Sequence, residues 1–379
     1  MNNGQKQFHR LLRVLLPIVI LSGIMIGSFS VSRAQIGAQT AHNYVKATVT
    51  AILQDDADGL PFNGSQLVRA RLTSGTWKGE EVELSNSNSY QRGALCQEGT
   101  KIIALVQQGS DGIISGSVYN YDRTGMLWGL LALFLISLLA VGGWKGAATI
   151  YALAFTFVCV IFLYLPLLYA GWNGIAASAL TAVVVLAASI YILNGWSRKS
   201  VCSILGTTAG VCISGGLALL FGSIGHLNGF HMSEVESMVY IANASKLRVG
   251  DLLYAGVLIS GLGAVMDVSV SMAAAMEEVH AKAPQLSHWE LFRSGMTVGH
   301  DMIGTMSNTL ILAYTGSATG ALLTIYSYEM PFLQVTGYNS IMIELLYGLC
   351  GTIGVILTVP IQAGITAFAL RHAKKEFVC

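Results

Sequence analysis

Charged residues are scarce in this chain of 379 residues, where Asp, Glu, Lys and Arg together make up 11% of the sequence. A soluble domain usually contains about 25% charged residues, so an ordinary soluble globular protein is excluded. Hydrophobic residues make up 53%, and several windows reach the roughly 20 apolar residues that a membrane-spanning helix needs. The composition therefore predicts a polytopic α-helical membrane protein.

A strong charge bias and paired cysteines are missing as well. The formal net charge is +1, which gives no reason to expect binding to nucleic acid. The six cysteines form no C-x-x-C pair and no zinc spacing: Cys96, Cys159, Cys202, Cys212, Cys350 and Cys379. We interpret those inside predicted spans as small apolar packing residues.

Residues 1–42 are predicted to form an N-terminal anchor and linker. Lys6, Arg10 and Arg13 precede or enter the apolar run "LLPIVILSGIMIGSFS", a pattern typical of a secretory signal or an uncleaved anchor. Small residues near Ala34 leave both alternatives open. In either case, the segment that follows is expected to cross the membrane.

Residues 43–122 have a different pattern, in which five short runs rich in Val and Ile alternate apolar with polar residues. This alternation is typical of half-buried strands, and segments such as "DDADGLPFNGS" supply the turns between them. We predict a small antiparallel, OB-like barrel. No aromatic row or basic patch indicates a ligand, so a binding module and a spacer or assembly module are both open.

Residues 123–379 contain the other predicted membrane spans. Apolar windows predict seven helices near 126–142, 147–166, 174–193, 201–222, 251–275, 295–327 and 339–369. With the N-terminal segment they make about eight spans. The distribution of Lys and Arg among the loops favours both termini in the cytoplasm and the β domain on the outer face.

Two connecting stretches begin with the spacing of a capping box, Ser233 with Glu236 and Ser287 with Glu290. Apolar residues follow each pair at helical spacing. We predict two short helices that lie at the membrane interface, with ordinary loops as the alternative.

Polar residues recur at helical spacing in "RSGMTVGHDMIGTMSNTLILAYTG", which runs from Arg293 to Gly316. One helix face carries Thr297, Asp301, Thr305, Asn308 and Thr315, and the opposite face is apolar. Because lipid offers no hydrogen-bond partners, we expect this stripe to face protein or a water-filled cavity. His300 projects about 100° away and is interpreted as a packing or interface residue.

A second carboxylate, Asp267, lies in the preceding predicted span, with Gly263 and Ser271 one turn away on either side. Both aspartates are predicted about 10–14 Å from the cytoplasmic side of consecutive antiparallel helices, so they are expected to meet at one level. Hard oxygen ligands suit H⁺, Na⁺ or divalent metal ions. The predicted binding residues are Asp267, Ser271, Asp301, Thr305 and Asn308. The alternative is a neutral aspartate that holds helices together.

Small residues indicate where helices pack closely. Gly206 and Gly210 form a G-x-x-x-G pair, and Gly263 is expected to serve the same purpose beside Asp267. The helix that carries Gly206 is a candidate to face the aspartates. Glu344, about six residues into the last span, is interpreted as a carboxylate that reaches the outer surface.

The segments "SGLGAVMDVSVSMAAAMEEV" and "RSGMTVGHDMIGTMSNTLILAYTGS" closely resemble the YibE/F family of bacterial membrane proteins. "RLTSGTWKGEEVELSN" in the β domain resembles the YibE type, which combines such a domain with the helical region. The resemblance implies a multi-pass protein of the bacterial cytoplasmic membrane and a YibF-like membrane protein as a partner. It implies no catalytic residues.

These patterns favour a permease or channel-like protein that handles a cation or a proton-coupled small solute, and not an enzyme. A non-transporting membrane scaffold is one alternative. An intramembrane aspartyl hydrolase is another, although "GLGAVMD" departs from the G-x-G-D pattern of presenilin-like enzymes. We expect the lipid bilayer as surroundings, a second copy or a YibF-like protein as partner, and no cofactor other than a bound cation.

Overall fold

The computed structural model describes residues 17, 20, 22–25, 43–56, 64–87, 94–109 and 114–372. Most of the predicted N-terminal segment 1–42 therefore lies outside the described residues. The chain divides into two compact units: Gln35–Val141, and Met1–Ala34 together with Gly142–Cys379. The first unit extends past residue 122, the end of the predicted β domain, and includes residues 124–141 of the first long helix.

Five strands form a closed barrel in the first unit: β1 (Asn43–Asp55), β2 (Ser65–Leu72), β3 (Glu81–Ser87), β4 (Lys101–Gln108) and β5 (Ile114–Tyr121). Their order around the barrel is β1–β2–β3–β5–β4, and β1 pairs with both β2 and β4. Buried and exposed side chains alternate, so Val82 and Leu84 enter the core while Glu81 and Glu83 face outward. The predicted small barrel is confirmed, with the strand order of an OB-type Greek key.

The barrel closes through a parallel pairing of β3 with β5, whereas the other four strand pairs are antiparallel. Gly116 lies opposite Leu84 in this pairing. A Cβ at residue 116 would collide with the backbone carbonyl of Leu105, so only glycine fits there. The predicted antiparallel pairing is therefore wrong for this one pair of strands.

Helices follow the barrel: α1 (Thr124–Cys159), α2 (Leu165–Tyr169), α3 (Gly174–Asn194), α4 (Arg198–Ile224), α5 (Val235–Ala244), α6 (Leu252–Lys282), α7 (His288–Ser317), α8 (Thr319–Ser327), α9 (Phe332–Thr336) and α10 (Asn339–His372). Within the described ranges, five segments are long and apolar enough to cross a membrane, or six if α7 and α8 count as one span. These helices indicate a membrane protein. The number of about eight spans stays a prediction.

The first of these segments, Thr124–Tyr169, contains 46 residues. At 1.5 Å per residue it would be about 69 Å long, more than twice the roughly 30 Å of a bilayer's hydrocarbon core. It is interrupted at Gly143, whose φ of 52° and ψ of −130° are not helical. Glycine has no Cβ to oppose a positive φ, so the interruption falls between the two predicted spans 126–142 and 147–166.

The predicted span 295–327 is not one straight helix, because α7 ends at Ser317 and α8 leaves it at an angle of 64°. Whether the two helices cross a membrane as one bent span stays a prediction. The predicted capping box at Ser287 and Glu290 is confirmed, but it starts the 30-residue helix α7 and not a separate short helix. At the other stretch, Val235 begins the short helix α5. Its N-cap is Glu234 without a side-chain hydrogen bond, so the capping box predicted at Ser233 is wrong.

Helices α4, α6 and α10 pack against one another in the second unit, α7 packs on α10 and α6, and α3 packs on α6 and α4. Glycines let these helices approach. A Cβ at Gly210 of α4 would collide with Thr358 of α10, and a Cβ at Gly299 of α7 would collide with Val359 of α10. The core of this unit is apolar and includes Leu186, Val265 and Val359.

Candidate functional site

The predicted polar stripe lies on an exposed side of α7, and we call its residues the α7 polar face: Thr297, Asp301, Thr305, Asn308 and Thr315. The packed side of this helix carries Gly299, which lies against Val359 and Met272. Gly299 is two residues, or about 200°, from Asp301, so Asp301 points away from the bundle. Protein of this chain therefore does not cover the stripe, and the expectation that it faces protein or a water-filled cavity stays a prediction. Close glycine packing decides which side of α7 turns inward.

The α7 polar face presents mostly hydrogen-bond acceptors. The hydroxyls of Thr297, Thr305 and Thr315 donate to backbone carbonyls of α7 itself, at 3.1, 3.1 and 2.7 Å. Their oxygen lone pairs remain available on the exposed side. In the described part of the chain, no hydrogen bond or ion pair involves the carboxylate of Asp301 or the amide of Asn308. An oxygen-rich face of this kind suits a cation or a proton donor.

Asp267 and Ser271 also lie at exposed positions, on a narrow stripe of α6 that includes Ser260 and Gly263. Ser269, two residues from Asp267, is fully buried. This arrangement agrees with the helical spacing of the sequence, which puts Ser269 on a different face from Asp267 and Ser271.

Asp267 lies fifteen residues before Lys282, the end of α6, and Asp301 lies thirteen residues after His288, the start of α7. The difference of two residues corresponds to about 3 Å along the helix axes, so their depths are similar. The structure shows no contact between the two carboxylates, and their pairing stays a prediction. Over the described residues, no group of three or more His, Cys, Asp or Glu side chains could hold a metal ion.

A buried polar seam runs between α4, α6 and α10, and it consists of Ser203, Thr207, Ser214, Ser269, Thr358, Gln362 and Thr366. The Nε2 atom of Gln362 donates to Thr366 Oγ1 at 2.8 Å, and Thr358 donates to the Gly354 carbonyl at 2.6 Å. Four buried oxygens of this seam have no hydrogen-bond partner among the described residues: Thr207 Oγ1, Ser214 Oγ, Ser269 Oγ and Gln362 Oε1. Each such group typically costs about 1–3 kcal/mol.

Gly206 and Gly210 lie in a close helix contact, whose partners are α10 and, at Gly210, Val265 of α6. Neither aspartate takes part in this contact. The Gln362 side chain occupies the space of a Cβ at Gly206, and Thr358 occupies that at Gly210. Among the described residues, no atom lies within 4 Å of a Cβ built at Gly263, so its role in helix packing stays a prediction. Gln362 had no place in the sequence-based site, although a glutamine two residues after Pro360 in an apolar helix is itself a signal.

Two further polar residues were predicted to be peripheral. His300 is exposed on α7. Glu344 is partly buried and accepts a hydrogen bond of 3.0 Å from Ser317 Oγ, so it does not simply extend to the outer surface.

The barrel has its own buried polar pair, Gln66 and Asn86. Asn86 Nδ2 donates to Gln66 Oε1 at 3.0 Å and to the Ala94 carbonyl at 2.6 Å, while Gln66 Oε1 also accepts from the Cys96 backbone N–H at 2.9 Å. These bonds hold the segment before β4 against the end of the barrel. Gln66, Asn86 and Ser85 line a small open cavity of about 240 Å³.

Comparisons with curated proteins and with solved structures find no match to this chain. The model of the family described as YibE/F-like protein matches residues 130–372, which is more than half of the chain. The match starts after β5, so the barrel and its YibE-type resemblance lie outside it. Because the family model matches the helical part, which is more than half of the chain, the chain belongs to the YibE/F family.

Proposed function

We propose that this chain is a subunit of a permease or channel for a cation or a proton-coupled small solute, with the α7 polar face as one wall of the path. The main support for this proposal is that Asp301, Thr305 and Asn308 are exposed in the middle of α7. An aspartate at the centre of a membrane helix costs about 2.5–3.5 kcal/mol on insertion scales when it faces lipid. The face is therefore expected to contact water or protein in the assembled molecule.

Three features support a path for a cation. The threonine hydroxyls of the α7 polar face donate to their own helix and leave acceptor oxygens outward. Asp267 lies at a similar depth on the neighbouring helix α6, where Ser271 adds a hydroxyl one turn away. The Lys or Arg residue nearest to Asp301 along this side of α7 is Arg293, which lies eight residues away, or about 12 Å along the helix axis. Any bound cation would be held by Asp267 and Asp301, with Ser271, Thr305 and Asn308 completing its ligands.

The second wall of the path is expected to come from outside this chain, since the α7 polar face is exposed on it. A second copy or a YibF-like membrane protein would supply that wall. The proposed setting is the bacterial cytoplasmic membrane, with both termini in the cytoplasm and the barrel outside. The Lys and Arg distribution of the loops supports this orientation.

The test is ion-driven flux in liposomes that contain the full-length protein, alone and with a YibF-like partner. Asp301→Asn should lower flux at least tenfold and leave the amount of folded protein unchanged, because the amide keeps the size but loses the charge. Glu278→Gln is the matched control, since Glu278 is an exposed acid near the end of α6 that pairs with Lys282. Equal flux from wild type and Asp301→Asn would refute the proposal.

A membrane scaffold is the second candidate, and the same exposed α7 polar face favours it, because helix association in lipid uses polar contacts. The two candidates differ in what Asp301→Asn does. For a scaffold, native mass spectrometry should show dissociation of the complex while liposomes with wild-type protein carry no flux. For a permease, the complex should persist and flux should fall.

A further inference from the structure

A cleft of about 460 Å³ lies where α7 ends, between α6, α7 and the first turns of α10. Glu344 of α10, Ser317 and Tyr314 of α7, Tyr347 of α10 and Ser260 of α6 line it. Ser317 is the last residue of α7, so the cleft lies at the 64° bend into α8. Glu344 and Tyr314 also line a smaller, more apolar recess of about 130 Å³, together with Ile341 and Leu322.

The electrostatics of the cleft favour a positive charge. The Glu344 carboxylate accepts one hydrogen bond, from Ser317 Oγ at 3.0 Å, and no basic residue is among the described residues that line the cleft or the recess.

Two tyrosines border the carboxylate in fixed positions. The ring centroids of Tyr314 and Tyr347 are 6.1 Å apart at an interplanar angle of 47°, and Tyr347 Oη donates to the Leu253 carbonyl at 3.2 Å. Glycines make room for both rings: Tyr347 fills the space of a Cβ at Gly256, and Tyr314 lies 3.4 Å from that of Gly348. Aromatic rings beside a carboxylate attract organic cations through cation–π contacts.

We propose that this cleft binds an organic ammonium ion, with the ammonium group between Glu344 and the two tyrosines and its alkyl part in the recess beside Ile341. A hydrated metal ion gains little from contact with the aromatic rings or the apolar recess, whereas an alkylammonium ion contacts both favourably. This site contains neither Asp267 nor Asp301, although Thr315 of the α7 polar face also lines the recess. Binding of an ammonium ion there does not depend on the proposed transport. The ammonium group belongs either to a free amine or to the headgroup of a lipid.

The test uses the full-length protein in nanodiscs of phosphatidylglycerol, which has no ammonium group, with n-butylammonium as the probe in saturation-transfer NMR. Wild type should bind n-butylammonium saturably, and n-pentanol, a neutral molecule of similar size, should not bind. Glu344→Gln should weaken binding at least tenfold, since the amide can still accept from Ser317 but carries no charge. Glu278→Gln, which changes an exposed acid elsewhere, should leave binding unchanged.

Tyr314→Ala provides a second variant should Glu344→Gln fail to fold, and it should weaken binding about fivefold or more. Unchanged binding by folded Glu344→Gln, or equal displacement of the probe by n-pentanol, would overturn the proposal. Nanodiscs that also contain phosphatidylethanolamine distinguish the two sources. Displacement of the probe there identifies a lipid headgroup as the occupant, and undiminished binding identifies a free amine.

Discussion

The substitution Gly210→Ala tests the packing of α4 against α6 and α10 most directly. The new Cβ would collide with Thr358 Oγ1 and lie 2.7 Å from Val265 Cγ1 and 3.1 Å from Thr358 Cβ. Ordinary carbon–carbon contacts are about 3.5–4.0 Å long, so the helices would have to separate by roughly 1 Å. Thr358 and Val265 are both 0% exposed and β-branched, and they have little freedom to move aside.

The expected cost is about 1–3 kcal/mol, the usual range for overpacking a dense core. A gap of 0.5–1 Å forfeits about a quarter to a half of each dispersion contact along the seam, which accounts for a cost of this size. Gly216→Ala is the matched control on the same helix, because nothing lies within 4 Å of its Cβ. That variant should be neutral or slightly more stable, because alanine favours a helix.

The assay is equilibrium unfolding of the full-length protein in detergent, followed by tryptophan fluorescence and circular dichroism. Gly210→Ala should unfold at a clearly lower denaturant concentration than wild type and Gly216→Ala. Replacement of Thr358 by alanine, which removes the colliding Oγ1, should restore part of the lost stability to Gly210→Ala. Identical unfolding of the two alanine variants would show that α4 does not pack on α10 as described.

Two further predictions concern titratable groups of the barrel. Burial, with a smaller contribution from the Asp55 carboxylate, raises the pKa of Cys96 to about 11. At pH 8, iodoacetamide should therefore label Cys96 about 100-fold more slowly than a cysteine introduced at the exposed position of Lys101. Equal labelling rates would contradict the burial of Cys96. Hydrogen bonds from Thr124, together with Lys46 at 3.2 Å, lower the pKa of Asp122 to about 2 from its ordinary 3.8. Because the folded-state value is the lower one, this stabilisation is complete above about pH 4 and disappears as the pH falls towards 2. The melting temperature of wild type should therefore approach that of Asp122→Asn over this interval, and a constant difference between them would contradict the role of this carboxylate.

Local patterns in the sequence were sufficient to predict the barrel and several features of the helices. Alternation of apolar and polar residues predicts the strands because only one side of each strand is buried. The capping box at Ser287 is confirmed, because it depends on residues three positions apart. Gly206 and Gly210, four positions apart, lie in a close helix contact. The parallel pairing of Leu84 with Gly116 joins distant parts of the chain, and no local pattern predicts it.

The orientation of α7 could not be predicted for a related reason. Periodicity separates the polar from the apolar side of the helix, but the choice of neighbour depends on shape. Gly295 and Gly299 allow Met276 and Val359 to approach, so the side with these glycines turns inward and Asp301 turns outward. Hydropathy predicts one continuous segment over 295–327, because the helix axis bends after Ser317 while the composition stays apolar.

The buried position of Gln362 was not predicted, because a single amide in an apolar helix forms no spacing pattern. Its contact with Gly206 brings together residues that are more than 150 positions apart in the chain. Ser214 and Gly354 are 140 positions apart in the chain, and a Cβ at Gly354 would lie 2.8 Å from the serine. The contacts of the polar groups inside this bundle therefore depend on the tertiary structure and not on local sequence patterns.

Closure of the barrel limits how the first unit can recruit another molecule. Each of its five described strands has a hydrogen-bonded neighbour on both sides. An extended peptide consequently finds no described strand whose whole edge is free, and such an edge is what many open sheets offer to a peptide. We therefore expect a ligand of this unit to be held by side chains on its surface or by the loops between strands.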